Sequence, residues 1–398
     1  MESKTRIKGN VHYVGVNDRN KHRFEAMWPL PYGVSYNSYL IDDEMVALVD
    51  TVDICYFEVY LRRIKQVIGE RPINYLIINH MEPDHSGSIR LIKQHYPEII
   101  IVGNKQTFGM IEGFYGVTGE QYLVKEGDFL ALGHHKLRFY MTPMVHWPET
   151  MMTFDETDGV LFSGDGFGCF GTVDGGFLDT QINVDKYWGE MVRYYSNIVG
   201  KYGSPVQKAL QKLGGLPISA ICSTHGPVWT ENIAKVIGIY DRLSRYDADE
   251  GVVIAYGSMY GNTEQMAEAI AEELSAQGVK NIVMHNVTKS HPSYIIADIF
   301  RYKGLIIGSP TYSNQIFPEV EALLSKILLR EVKGRYLGYF GSFTWAGAAV
   351  KRLAEFAEKS KFELVGDPVE MKQAMKDLTY TQCENLARAM ADRLKKDR

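Results

Sequence analysis

His80, Glu82, Asp84 and His85 fall within six consecutive positions of "NHMEPDHSGS" (79–88). Imidazole and carboxylate are both metal ligands. Mixed without thiolate, they suit a redox-active non-haem ion with open positions better than a structural zinc. The run "INYLIIN" (73–79) before the cluster is β-rich, so His80 stands where a strand runs out. In an extended loop the alternating positions 80, 82 and 84 would converge. Three later strand ends carry ligand types as well: His146 in "MVHWPE", Asp165 in "FSGDGFG" and His225 in "CSTHGPV". Taken singly, His146 or His225 reads as a hydrogen-bonded core residue, and Asp165 as a turn residue. Taken together they place ligands at one edge of a sheet, where rigid elements hold a site. Four imidazoles and three carboxylates exceed one four-coordinate ion and fit two metals sharing a bridging carboxylate.

A second constellation lies further on. "YGSMYGNTEQ" (256–265) follows an apolar run and opens a helical pattern. Ser258, Asn262 and Thr263 supply side-chain donors, Gly257 and Gly261 permit a tight loop, and a helix N-terminus adds backbone N–H groups. This is an anion cradle for a phosphate monoester. It has neither the GK[ST] of a Walker loop nor the G-x-G-x-x-G of a dinucleotide fold, which argues against ATP and NAD(P). "SPTYSNQ" (309–315) and "SFTWAG" (342–347) follow later strands, and Tyr312 and Trp345 offer aromatic faces to a planar ring. The residues fit a planar ring that carries a phosphate.

The elements that must position these groups divide into two patterns. Up to residue 250, short strand-like runs alternate with polar, Gly-rich connections: an early hairpin from "YNSYLI" (36–41) and "MVALVD" (45–50), a helix over 56–68 and another over 86–95, and strands at 98–103, 136–145, 159–164 and 218–224. From Gly251 five apolar runs, "GVVIAYG", "NIVMHNV", "GLIIGSP", "RYLGYFGS" and "FELVGD", alternate with helical stretches. In the first of these helices Met266, Ile270 and Leu274 share a face and Gly278 is the candidate C-cap. That is a doubly wound parallel α/β sheet, whose loops gather at the carboxyl edge where ligands bind. The expected domains are 1–250 and 251–398.

Bulk properties narrow the class. The chain has 398 residues, 45% hydrophobic and 23% charged, with a net charge of −5, which argues against nucleic-acid binding. No apolar run approaches the ~20 residues that cross a bilayer, and "MESKTRIKGN" has no apolar signal core, so a cytoplasmic protein is expected. Cys55, Cys169, Cys222 and Cys383 form no C-x-x-C pair, which excludes a zinc ribbon or a rubredoxin-like iron module within this sequence.

The order of the motifs resembles the metallo-β-lactamase superfamily, whose first motif is usually H-x-H-x-D-H. Here Glu82 replaces the second histidine. H-x-E-x-D-H, followed by His, Asp and His, is similar to the flavodiiron proteins, as are "YNSYLI" and "RYYSNI" (193–198) and a flavodoxin-like second half. The resemblance spans essentially the whole chain and points to the A-type members, the rubredoxin:oxygen oxidoreductases. It implies an N-terminal metallo-β-lactamase-like αββα domain and a C-terminal flavodoxin-like domain. It also implies two non-haem irons, one held by His80, Glu82 and His146, the other by Asp84, His85 and His225, with Asp165 bridging. In some members the histidine matching His85 turns away and water replaces it. Tyr195 and Trp147 are expected beside the open coordination positions. FMN would lie on Ser258, Met259, Tyr260, Gly261, Asn262 and Thr263 with its ring between Ser309, Pro310, Thr311, Tyr312 and Asn314 on one side and Ser342, Phe343, Thr344, Trp345 and Gly347 on the other.

The implied activity is transfer of electrons from rubredoxin or a similar one-electron donor through FMN to the irons, reducing O2 to water, NO to N2O, or both. The family also implies a head-to-tail homodimer or a dimer of dimers. Two other readings compete: a zinc hydrolase with an appended flavodoxin domain, against which Glu82 argues, and an electron carrier or sensor with a relic metal site, against which the complete ligand set argues.

Overall fold

The computed structural model describes residues 4–397. Its contacts separate two compact units, one ending at Ser244 and the other beginning at Arg245.

The first unit is two facing sheets flanked by helices. One sheet runs in the order Arg6–Lys8, Val11–Tyr13, Tyr39–Ile41, Ala47–Val49, Tyr75–Ile77, Ile100–Gly103, Gln121–Leu123. The other runs Phe129–Ala131, Lys136–Met141, Met151–Asp155, Val160–Gly164, Ala220–Ser223. Side chains on a strand alternate between faces. Accordingly Tyr39 and Ile41, Ala47 and Val49, Leu137 and Phe139, Val160 and Phe162, and Ala220 and Cys222 all enter one core cluster between the sheets. The hairpin expected from 36–50 is present, with Leu40 opposite Leu48. The strand expected over 136–145 ends at Met141, because Thr142–Thr150 turns back on itself through Thr142 N to Thr150 O. Met151–Asp155 had no expectation attached to it. It is buried at every position, so no alternation marks it.

The second unit is a parallel sheet in the order Ile282–Asn286, Asp249–Tyr256, Tyr302–Tyr312, Tyr336–Phe343, and then an edge shared by Glu363–Leu364 and Val369–Lys372. Strand order 2-1-3-4-5 is the flavodoxin-like winding, with the switch point beside the first strand. The fifth strand, expected at 362–367, is thus broken in two, and its second half lies beyond the predicted span. The first begins at Asp249 rather than Gly251. Met266, Ile270 and Leu274 are buried on the Asn262–Ala276 helix as expected. That helix ends in a Schellman turn: Gly278, at φ +87°, donates to Ser275 O and Val279 donates to Leu274 O. Among the described residues no helix is long and apolar enough to cross a membrane.

Candidate metal centre and cofactor cradle

His80 leaves the end of Tyr75–Ile77 on a segment held by one buried carboxylate. Asp50 accepts from the backbone N–H groups of Asn79 and His80 and from Asn79 Nδ2. Asn79 in turn accepts from Thr153 Oγ1 at 2.8 Å, tying one sheet to the other. Glu82 is extended, at φ −60° and ψ 134°, but Pro83–Ser86 then turns into a single helical turn. Asp84 and His85 therefore sit on a helix rather than on the extended loop read from the sequence, and this turn aims them together at the second half of the site. Asn37 holds the remaining strand end: its amide donates to Ser223 O and Gly226 O, flanking His225.

All seven expected ligand residues are buried and converge. Asp165 Oδ2 is 3.1 Å from His146 Nε2 and 3.8 Å from His80 Nε2, while Asp165 Oδ1 is 3.2 Å from His85 Nε2 and 3.6 Å from His225 Nε2. One carboxylate thus turns an oxygen to each of two imidazole pairs. Glu82 Oε2 joins the first pair, 3.1 Å from His146 Nε2. Asp84 joins the second, 3.6 Å from His85 Nε2 and 3.4 Å from His225 Nε2. His85 faces inward.

Tautomers follow from the groups behind the rings. His225 Nδ1 lies 2.7 Å from the Ser35 carbonyl, and His80 Nδ1 lies 2.7 Å from Glu149 Oε1. Both oxygens can only accept, so each ring carries its proton on Nδ1 and turns the Nε2 lone pair inward. His85 Nδ1 has no such partner.

The donor set fits metal. Both oxygens of Asp84 and Nε2 of His225 are buried without a hydrogen bond of proper geometry. Buried polar atoms are rarely left so, because desolvation then goes uncompensated. Burial, and after it the Glu82 carboxylate, raises the Asp84 carboxyl above its ordinary range. A dication reverses that balance.

Of the two expected neighbours, Trp147 packs edge-on to His80 with ring centroids 5.3 Å apart. Tyr195 packs against Tyr240 instead, at 5.0 Å. Tyr194 and Tyr36 border the cluster, their rings 5.9 and 6.1 Å from that of His225, and burial, with Asp165 next, holds the Tyr194 hydroxyl well above the usual tyrosine range. The helix Asp185–Tyr194 passes directly into a π-helical turn, Tyr195–Val199, and adjacent residues on a helix point to different faces, so the rings of Tyr194 and Tyr195 diverge. Glu149 was also missed from the sequence. A cavity of about 440 Å³, lined by Lys21, Asp53, Glu82, Asp84, Arg90 and Tyr115 among others, opens beside the cluster.

In the second unit the three expected loops meet at the carboxyl edge. Gly261, at φ +90°, turns the chain into the Asn262–Ala276 helix, and Ser258 Oγ accepts from Gly261 N at 3.1 Å. Thr263 Oγ1 reaches Ser342 Oγ at 2.8 Å, and Thr311 Oγ1 accepts from Ala348 N and Ala349 N. These bonds join the first loop to the third and the second to the third. Ser313 and Asn314, both at positive φ, form the tip of the turn between Thr311–Tyr312 and Gln315–Ile316. Ser309 is tied inward, accepting from Phe317 N at 3.2 Å. At this edge Tyr260, Tyr312 and Trp345 are 91%, 49% and 82% exposed. Three large aromatics left in water around a helix N-terminus suit a planar ring that carries a phosphate.

Fold and site together define a protein that joins a β-lactamase-like dinuclear metal domain to a flavodoxin domain. Comparison with known proteins agrees: residues 34–226 match the ODP family β-lactamase and residues 254–385 match flavodoxin. An anaerobic nitric oxide reductase flavorubredoxin of Vibrio vulnificus is 32% identical over 363 residues, covering 90% of this chain and 73% of that one. The rubredoxin oxygen:oxidoreductase of Desulfovibrio gigas superposes with a TM-score of 0.93 at 31% identity, covering 97% of each chain. The flavodiiron protein of Giardia intestinalis gives a TM-score of 0.91 at 26% identity, covering 98% of this chain and 97% of that one. The chain belongs to the flavodiiron protein family.

Proposed function

We propose that this chain is a flavodiiron oxidoreductase that reduces O2 to water, NO to N2O, or both, with electrons from rubredoxin or a similar one-electron donor. The observation that carries the reading is the division of Asp165 between two imidazole pairs, each completed by a further carboxylate. His80, Glu82 and His146 would hold one iron, Asp84, His85 and His225 the other, and Asp165 both. FMN would rest its phosphate on Ser258–Thr263, with Tyr312 and Trp345 beside its ring. When bound, FMN would pass electrons singly or in pairs, and two irons would each supply one electron to a diatomic gas held between them.

The chain's own residues orient and shield. Asp50 and Asn79 fix the strand end that carries His80, and Asn37 fixes the turn that carries His225. Trp147 and Tyr194 close the inner walls, and the cavity past Lys21 and Tyr115 leaves a way in for a small uncharged gas and for protons. O2 reduction takes four electrons and four protons; coupling two NO takes two of each. The relatives named for nitric oxide and for oxygen reduction support both substrates. A head-to-tail homodimer, or a dimer of dimers, and a cytoplasmic location complete the proposal.

Composition tests it first. Protein purified without oxygen should carry two irons and one FMN per chain, and Asp165→Asn should lose iron while keeping FMN. Two zinc ions, with hydrolytic turnover and no gas consumption, would support the hydrolase reading instead.

A further inference from the structure

The two halves of the metal cluster are not backed alike. Behind His225 stands a neutral backbone carbonyl, Ser35 O, at 2.7 Å. Behind His80, at the same distance, stands the Glu149 carboxylate. Glu149 is fully buried and held by two further hydrogen bonds: its Oε1 also accepts from Met81 N at 2.9 Å and its backbone carbonyl accepts from Asn104 Nδ2 at 2.5 Å, while its other oxygen has no hydrogen bond. Asn104 is itself the N-cap of the Lys105–Tyr115 helix, so the carboxylate stands on a rigid support. Glu149 lies on the same loop as His146. One loop therefore supplies a donor to the first metal position and orients another donor, His80, that arrives from the opposite sheet.

We infer that Glu149 is a positioning residue that makes the position formed by His80, Glu82 and His146 the more electron-rich and tighter-binding of the two. A carboxylate behind an imidazole fixes the tautomer and raises the basicity of the ligating nitrogen; a carbonyl does the first and much less of the second. An imidazole enriched in this way favours the ion in its higher oxidation state. The pair of metals is then unequal by construction, although the sets His80, Glu82, His146 and Asp84, His85, His225 each hold two imidazoles and one carboxylate. The inference rests on the dinuclear reading of the site.

The test compares wild type with Glu149→Gln and Glu149→Ala, each as the full chain with FMN bound. Gln keeps an acceptor for His80 and removes the charge. Ferrous ion is titrated into metal-stripped protein, and the 57Fe-loaded forms are examined by Mössbauer spectroscopy. Wild type should bind two equivalents. In Glu149→Gln one equivalent should weaken roughly 10–100-fold, the range for loss of a partner behind a metal-bound histidine, while the second stays unchanged and one of two quadrupole doublets shifts. Equal weakening of both equivalents, or no change in either, overturns the inference. Glu149→Ala should weaken the same equivalent further; if it does not fold, the Gln variant carries the test alone. Failure of wild type to bind two equivalents would sink the dinuclear reading itself, which separates the two failures.

Discussion

His80 and His225 present Nε2 to the cluster because an oxygen that can only accept sits behind each ring. The same logic governs a histidine away from the site. His135 is buried with Nδ1 3.0 Å from Asp155 and 3.9 Å from Asp158, while Asp43 accepts from its backbone N–H. Burial opposes its charge, and the hydrogen bond to Asp155 with the fields of Asp155, Asp43 and Asp158 outweighs burial, so its pKa is raised. A raised folded pKa contributes stability that is fully present below the unfolded value, about 6.5, and is lost as pH rises through the folded value. His135→Ala should therefore cost ~1–3 kcal/mol at pH 6, the scale of a hydrogen bond to a charged group. Denaturation by urea should show that gap narrowing by pH 9; a gap independent of pH would mean the ring acts by packing alone. At this scale the sequence was uneven as a guide. His80 to His85 announced themselves by adjacency. His146, Asp165 and His225 gained meaning only as a set. Glu149 carried no local signal, since only the fold brings it behind His80, and Tyr194, one residue before the expected Tyr195, borders the cluster.

At the scale of elements, the Asn262–Ala276 helix does two things that one substitution separates. Its N-terminus favours negative charge, both in a bound phosphate and in its own first turn. Asn262→Glu should leave the helix intact yet repel a phosphate. FMN should bind at least about tenfold more weakly, ~1.4 kcal/mol, with unchanged circular dichroism; undiminished affinity by fluorescence titration would remove this loop from the site. A second element depends on Arg335, which is buried and donates to the carbonyls of Ile299, Phe300, Tyr246 and Lys333. Burial lowers its pKa to about 10. The side chain thus caps the last turn of the Pro292–Arg301 helix and pins the start of the second unit. Arg335→Met orphans those carbonyls and should cost ~2–4 kcal/mol in equilibrium unfolding; a loss under ~0.5 kcal/mol, the usual range for surface positions, would show that water replaces the guanidinium. Strands with β-branched runs between glycines were legible in advance. Met151–Asp155, buried on both faces, and Val369–Lys372, the second half of the split edge, were not, because pairing across the sheet, rather than local pattern, makes them strands.

At the scale of the whole molecule, two domains of separate design each bring half of an electron-transfer reaction. Their order, with candidate metal ligands at the strand ends of the first and a candidate phosphate cradle at the switch point of the second, follows from both folds gathering their sites at strand ends. Glu82 in place of a second histidine argues against a zinc hydrolase, and seven converging buried imidazoles and carboxylates argue against a bare carrier. The most direct test follows flavin reoxidation in single turnover, mixing anaerobically reduced wild type and Asp165→Asn with O2 and, separately, with NO. The account predicts that at least one gas reoxidises wild-type flavin much faster than it does the flavin of Asp165→Asn, with water or N2O as product. Equal rates in the two proteins with both gases, or no reaction of wild type with either, would contradict it.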